Sequence, residues 1–266
     1  MTQDRERLRS TFDQVAVLYD RVRPGYPAAL FDDLAELAGV GPGARVLEIG
    51  PGTGQATVPL AERGCRVVAV ELGADLAAVA RRNLARFPEV EVVTAAFEDW
   101  PLPAEPFDLV LAATAFHWID PAVRVVKAAD ALRPGGALAT VTTHHVAGGD
   151  ESFFADVQAC YERWDPDTPP GGDPLKAAAD IPTSSDELDR SHRFGPATFR
   201  RHAWEQASTT AGYVDVLLTY SGHRALDTRA QAGLLGCIAH LIDTAYGGRI
   251  TKQYLTELRV ARTLEP

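Results

Sequence analysis

Apolar residues along the chain follow two rhythms, and the alternation between them predicts the architecture. Short, almost unbroken apolar runs fall at 45–49, 65–70, 90–95, 107–113 and 137–141, as expected of parallel strands covered on both faces. Between them apolar positions recur every three or four residues: Leu30, Leu34 and Leu37, then Leu76, Val79, Ala80 and Leu84, then Val125, Ala128, Ala129 and Leu132. These are the buried stripes of helices packed on such a sheet. Gly39 and Gly41-Pro42-Gly43 end the first, Gly64 closes a helix over 55–63, and another spans about 75–87. Asp120 with Pro121 behind it opens the helix that Arg133-Pro134-Gly135-Gly136 stops. The alternation implies an α/β fold, a three-layer doubly wound sheet with right-handed crossovers.

The ends of the chain are less regular. A helix is expected over 4–18, followed by a punctuated link at 19–27. From 144 to 195 the periodicity breaks, apart from a helix over 152–163, and 165–172 is Pro/Gly loop chemistry. A strand over 199–206, helices over 210–224 and 227–245, and a last strand over 252–261 follow. The expectation is one domain over 1–266, with a helical lid at 1–40 and a cap built from 144–195 and 208–250.

Composition narrows the function. With 46% apolar and 23% charged residues the chain reads as soluble and globular, and a formal charge of −10 opposes a surface that tracks nucleic-acid phosphates. No apolar leader opens the sequence, and 234–245, broken by His240 and Asp243, is too short to span a bilayer. Cys65, Cys160 and Cys237 are scattered and odd in number, so they read as buried thiols of a reducing compartment and not as a disulfide frame. His144-His145 lack a nearby third ligand, which argues against a metal. A cytoplasmic protein, monomeric or homodimeric, with a small-molecule partner and neither nucleic acid nor membrane, is expected.

The chemistry concentrates after the first strand, in Glu48-Ile49-Gly50-Pro51-Gly52-Thr53-Gly54. Glycines at every second position let the backbone turn sharply against a ligand. The dinucleotide pattern Gly-x-Gly-x-x-Gly fails from either starting glycine, since Gln55 or Thr57 stands at its sixth position, and no Gly-Lys-Ser/Thr follows for a phosphate loop. Glu48 instead favours a cationic head and would repel a pyrophosphate. Glu71, at the end of the second strand, suits the hydroxyls of a ribose. In doubly wound folds these post-strand segments, with Phe97–Trp100 and Phe116–Trp118, converge at the carboxyl edge of the sheet.

Together these residues resemble the class I S-adenosylmethionine (SAM)-dependent methyltransferases of the bacterial small-molecule type. The resemblance rests on Glu48-x-Gly50-x-Gly52-x-Gly54, Glu71, Phe97-Glu98-Asp99-Trp100, Phe107-Asp108-Leu109-Val110, Phe116-His117-Trp118 and Leu132-Arg133-Pro134-Gly135-Gly136. The opening Phe12-x-x-x-Ala16-x-x-Tyr19-Asp20-x-x-Arg23-Pro24-x-Tyr26-Pro27 agrees with it. It implies a seven-stranded, mostly parallel sheet with an antiparallel last strand. It also implies SAM as methyl donor, S-adenosylhomocysteine as product, and no metal. By the same resemblance Gly50, Gly52 and Gly54 pass beneath the methionine and ribose, Glu71 binds the ribose hydroxyls, and Leu72 is a further cofactor contact. Phe97 and Glu98 lie at the adenine, Thr114 lines the methionine part, and Tyr19 and Arg23 close over the cofactor. His117 is the candidate general base, against the plainer reading that it only packs at the strand end. Tyr26, Trp118, Tyr220 and His223 are candidates to face the acceptor. An NAD(P)-dependent oxidoreductase and a non-catalytic SAM-binding module are the competing readings.

Overall fold

The computed structural model describes residues 7–264 apart from 166 and 170–173. Residues 4–6 of the expected first helix, and 166 and 170–172 of the expected loop, lie outside the described residues.

A single seven-stranded sheet runs in the order β3-β2-β1-β4-β5-β7-β6. Its strands are β1 (Arg45–Ile49), β2 (Arg66–Glu71), β3 (Val90–Thr94), β4 (Phe107–Ala113), β5 (Leu132–Gly149), β6 (Thr198–Thr209) and β7 (Arg249–Arg262). β1 lies between β2 and β4, β3 flanks β2, and β5 flanks β4, all in parallel. β7 runs against β5: the Thr263 N–H donates to Gly136 O (2.9 Å) at one end and the Asp150 N–H to Thr251 O (2.9 Å) at the other. The strand order reverses beside β1, so the carboxyl ends of β1 and β4 flank the crevice where such sheets bind ligands.

The chain divides into two compact units. The first, here the loop unit, comprises Pro24–Thr143, Thr183–His202 and Thr256–Pro266. Two apolar layers cover its sheet. Leu30, Phe31 and Leu34 of helix Ala28–Ala38 pack with Val46, Val67 and Leu109, while Val125 and Ala128 of helix Arg124–Ala131 pack with Leu47, Val70 and Val110. Val46 and Leu47 are successive strand residues facing opposite layers, which is why this strand is apolar on both faces.

The second, the aromatic unit, comprises Met1–Arg23, His144–Pro182 and Ala203–Leu255. Its core joins Phe153, Val157, Tyr213 and Leu217 to Leu234, Ile238 and Ile242, the buried stripe of helix Thr228–Ala245. Asp227 caps that helix by accepting from the Arg229 and Ala230 N–H groups.

Several expectations are corrected here. Helix Ala16–Val22 carries Tyr19 through the segment expected to be a link, and only from Arg23 does the backbone become extended. β5 does not stop at 141 but continues to Gly149, because β7 supplies hydrogen-bond partners for its polar half. The helix expected over 210–224 breaks into Thr210–Leu217 and Ser221–Ala225 around the extended backbone of Tyr220. The cysteine reading also fails: Cys160 and Cys237 form a disulfide, their Cα atoms 5.8 Å apart. Helix Gln158–Trp164 packs on Thr228–Ala245, and that packing brings together cysteines 77 positions apart. Cys65 alone is a free, buried thiol. Among the described residues no helix is long and apolar enough to cross a membrane.

Candidate active site

The glycine loop continues the β1–β2 ladder by one bond, from the Gly50 N–H to Val70 O (2.9 Å), and then turns away. Gly50, Gly52 and Gly54 have φ of +67°, +61° and +103°. At Gly50 a side chain fails on two counts, since its Cβ would also stand 2.7 Å from the Ala115 Cβ. The Asn83 side chain donates to Thr53 O (2.9 Å) and clamps the loop from helix Ala74–Leu84.

Glu71 binds this loop to the turn after β2. The Gly52 N–H donates to its Oε2 (3.0 Å) and the Gly73 N–H to its Oε1 (2.9 Å). Each carboxylate oxygen can accept more than one hydrogen bond. Leu72 beside it is 40% exposed and offers an apolar face at the end of β2. Glu48 is different. It is 1% exposed, and its Oε2 has no hydrogen-bond partner among the described residues. Loss of hydration raises its pKa to about 7, opposed by the Thr57 hydroxyl group and reinforced by the charge of Glu71. A sealed carboxyl group with an unanswered oxygen is unusual in a protein interior.

After β4 the chain adopts a second unusual conformation. Thr114 has φ +54°, in the left-handed region. Its N–H donates to Val141 O (2.8 Å), and its hydroxyl lies 3.0 Å from the Tyr26 hydroxyl. A non-glycine residue held this way at a strand terminus marks a site whose surroundings override local preference. The Phe116–Trp118 turn then buries Phe116 and leaves His117 exposed, its ring 4.8 Å from that of Trp118. Dehydration by surrounding protein, and then the Arg124 guanidinium, lower the His117 pKa. That direction favours the neutral imidazole. Arg124 is held in turn by both Glu187 oxygens and by Phe116 O.

Phe97 is 3% exposed and packs in the core, with the Lys127 ammonium 5.3 Å from its ring centroid. Glu98 Oε1 accepts from the Asp120 N–H (3.2 Å), which ties the β3 exit to the segment after the His117 turn. Among the sequence candidates, the loop unit thus holds Tyr26, Glu48, Gly50, Gly52, Gly54, Glu71, Leu72, Phe97, Glu98, Thr114, His117 and Trp118.

The aromatic unit holds the other four: Tyr19, Arg23, Tyr220 and His223. The Arg23 guanidinium lies 5.0 Å from the Tyr19 ring centroid and 4.5 Å from that of Tyr220, and it donates to the Thr219 hydroxyl and carbonyl (both 2.8 Å). His223 Nε2 lies 2.9 Å from the Tyr161 hydroxyl. Sequence reasoning missed Ala115, which forces glycine at position 50, and Thr57 beneath Glu48. It also missed His145, Lys252 and Tyr254, whose alternation in β5 and β7 reads as ordinary strand and carries no motif.

A methyltransferase-domain family profile matches residues 47–140, the stretch from the glycine loop to β5. An uncharacterised methyltransferase of Mycobacterium tuberculosis is 38% identical over 141 residues, 53% of this chain and 55% of that protein. The chain thus matches about half the length of its mycobacterial relatives. A malonyl-[acyl-carrier protein] O-methyltransferase of Geobacter sulfurreducens is 30% identical over 223 residues, 80% of this chain and 72% of that protein. The solved structure of a protein assigned as a type II methyltransferase, from Anaeromyxobacter dehalogenans, shares 26% identity and superposes with a TM-score of 0.62, covering 92% of this chain and 99% of that one. The chain belongs to the class I SAM-dependent methyltransferase family.

Proposed function

We propose that the protein binds SAM along the glycine loop and transfers its methyl group to a small-molecule oxygen, nitrogen or carbon nucleophile, releasing S-adenosylhomocysteine. The observation that carries this reading is the unanswered Oε2 of buried Glu48 beside three left-handed glycines. A carboxyl group so placed favours the ammonium of a methionine moiety and disfavours the pyrophosphate of a dinucleotide.

SAM would supply a methyl group on a positively charged sulfur, and the residues present fit its parts. Gly50 and Gly52 allow the backbone to approach it, Glu71 accepts from the ribose hydroxyls with Leu72 beside it, and Phe97 and Glu98 lie at the adenine. Thr114 borders the methionine side, and Tyr26 and Trp118 face the acceptor. His117 takes the proton of a hydroxyl or amine acceptor as its bond to carbon forms. In-line displacement needs the reacting atoms held roughly 3–3.5 Å apart.

Titration calorimetry with SAM, S-adenosylhomocysteine and NADH tests the donor. Micromolar binding of the first two is expected, and NADH binding without SAM binding would overturn the reading. Release of S-adenosylhomocysteine across an acceptor panel tests turnover. The reading includes a bacterial cytoplasmic setting, which alkylation of Cys160 and Cys237 in freshly lysed cells checks. Alkylated thiols fit that setting, and a persistent disulfide opposes it.

A further inference from the structure

Buried charges in proteins are ordinarily answered by an opposite charge or a hydrogen bond. Lys252, on β7, is 6% exposed, and no described carboxylate answers its charge. Its ammonium lies 4.2 Å from the Phe154 ring centroid and 5.9 Å from that of Tyr254. Loss of hydration alone lowers its pKa, to about 8, and no carboxylate offsets it. Cation–π contact with Phe154 compensates only part of the hydration lost, because an aromatic face holds a cation more weakly than an ion pair of the same burial does.

Lys252 stands at one end of a continuous aromatic face within the aromatic unit. Strand alternation places Tyr254 on the same side of β7. Tyr254 stacks on Trp204 of β6 at 4.7 Å and meets His145 of β5 edge-on at 5.3 Å. His145 adjoins Tyr220 at 5.7 Å, and the Arg23 guanidinium covers Tyr220. The face therefore carries a cation at each end and rings between them. Partial dehydration, then the charges of Lys252 and Arg23, lower the His145 pKa, and no described acidic group is among the causes. Arg23 already uses two nitrogens on Thr219, so Lys252 is the uncommitted cation. Phe154 and Ala147, the latter two residues beyond His145 on β5, also line a cavity of about 290 Å³. Glu151, the acid on its wall, is exposed to solvent.

We propose that this face binds a small aromatic carboxylate, its carboxylate paired with Lys252 and its ring against His145, Tyr220 and Tyr254, and that this is the class of the methyl acceptor. Only the last clause rests on the methyltransferase reading. Benzoate, benzamide and cyclohexanecarboxylate, titrated by calorimetry into the full chain saturated with S-adenosylhomocysteine, test the proposal. Benzoate is expected to bind at least tenfold more tightly than benzamide, which lacks the charge, and more tightly than cyclohexanecarboxylate, which lacks the flat ring. Lys252→Met is expected to erase the preference for benzoate over benzamide while its affinity for S-adenosylhomocysteine is unchanged. Equal binding of benzoate and benzamide by the wild type, or benzoate affinity retained in a folded Lys252→Met variant, would overturn it. Should Lys252→Met fail to fold, the comparison of the three probes on the wild type decides alone. Failure of S-adenosylhomocysteine to bind would sink the methyltransferase reading and leave the carboxylate titration, run without it, standing.

Discussion

The loop unit and the aromatic unit bury polar groups with opposite sign. In the loop unit the sealed groups are acids: Glu71, answered by two backbone N–H groups, and Glu48, with one oxygen unanswered. In the aromatic unit the buried charge is a base, Lys252, set among rings and with no carboxylate partner among the described residues. Each arrangement costs folding free energy in the absence of a ligand, and each is offset by a ligand of opposite charge. The loop unit is prepared for a cation, as a sulfonium bearing an ammonium is. The aromatic unit is prepared for an anion.

The largest expected effect tests how far the aromatic unit depends on its covalent tie. Cys160→Ser, or reduction of the wild type, releases a closure of 77 residues and should lower stability by about 4.5 kcal/mol on the chain-entropy estimate. Thermal melting with and without dithiothreitol measures it. A fall confined to the aromatic unit, seen as selective hydrogen exchange in helix Thr228–Ala245, would sharpen the contrast. An equal loss in β1 and β4 would weaken it.

Next is the charge in the loop unit. The Glu48 pKa is raised in the fold from 4.5 to about 7, so the native state holds its proton more tightly than the unfolded chain. The associated stability is present below about pH 4.5 and is lost as pH rises through 7. Glu48→Gln should therefore be more stable than wild type at pH 8 by roughly 3 kcal/mol, since each tenfold change in proton affinity is worth about 1.4 kcal/mol, with no advantage at pH 4. Urea titrations at both values check this. The same variant should lose affinity for SAM, and the wild type should release a proton on binding it near pH 7. Calorimetry in buffers of different ionisation enthalpy reads that proton.

His117→Ala should reduce kcat by about 100-fold with little change in the dissociation constant of SAM, as expected for loss of a general base. Undiminished turnover would reduce His117 to a packing role beside Trp118. The smallest effect belongs to Leu72. Replacing this exposed leucine by Ser should weaken SAM binding by roughly 1 kcal/mol, the order of a partial apolar contact, without altering kcat.

Much of the loop unit was legible because its physical demands are local. β1 and β4 fall where the apolar runs place them, since a strand covered on both faces admits few polar residues. The glycine spacing reports directly on backbone conformation, and Gly50 shows why, with φ and the neighbouring Ala115 both excluding a side chain. The aromatic unit was read less well because what holds it together is distant in sequence. The polar half of β5, with His144 and His145, resembled a loop until β7 supplied its partners. Cys160 and Cys237 carry no spacing signal across 77 residues. Lys252 resembled an ordinary solvated strand lysine, and only the packing of Phe154 and Tyr254 around it makes it unusual.

The disulfide has a further consequence for how the chain can be handled and counted. Of three cysteines, two are consumed by each other and the third, Cys65, is 3% exposed. A thiol dye added to the native, oxidised chain should register nothing. Unfolding should reveal one reactive group, and unfolding with reductant three. That staircase gives a direct assay of oxidation state in any preparation, and it means that the folded, oxidised protein has no thiol available for cross-linking two copies on standing in air.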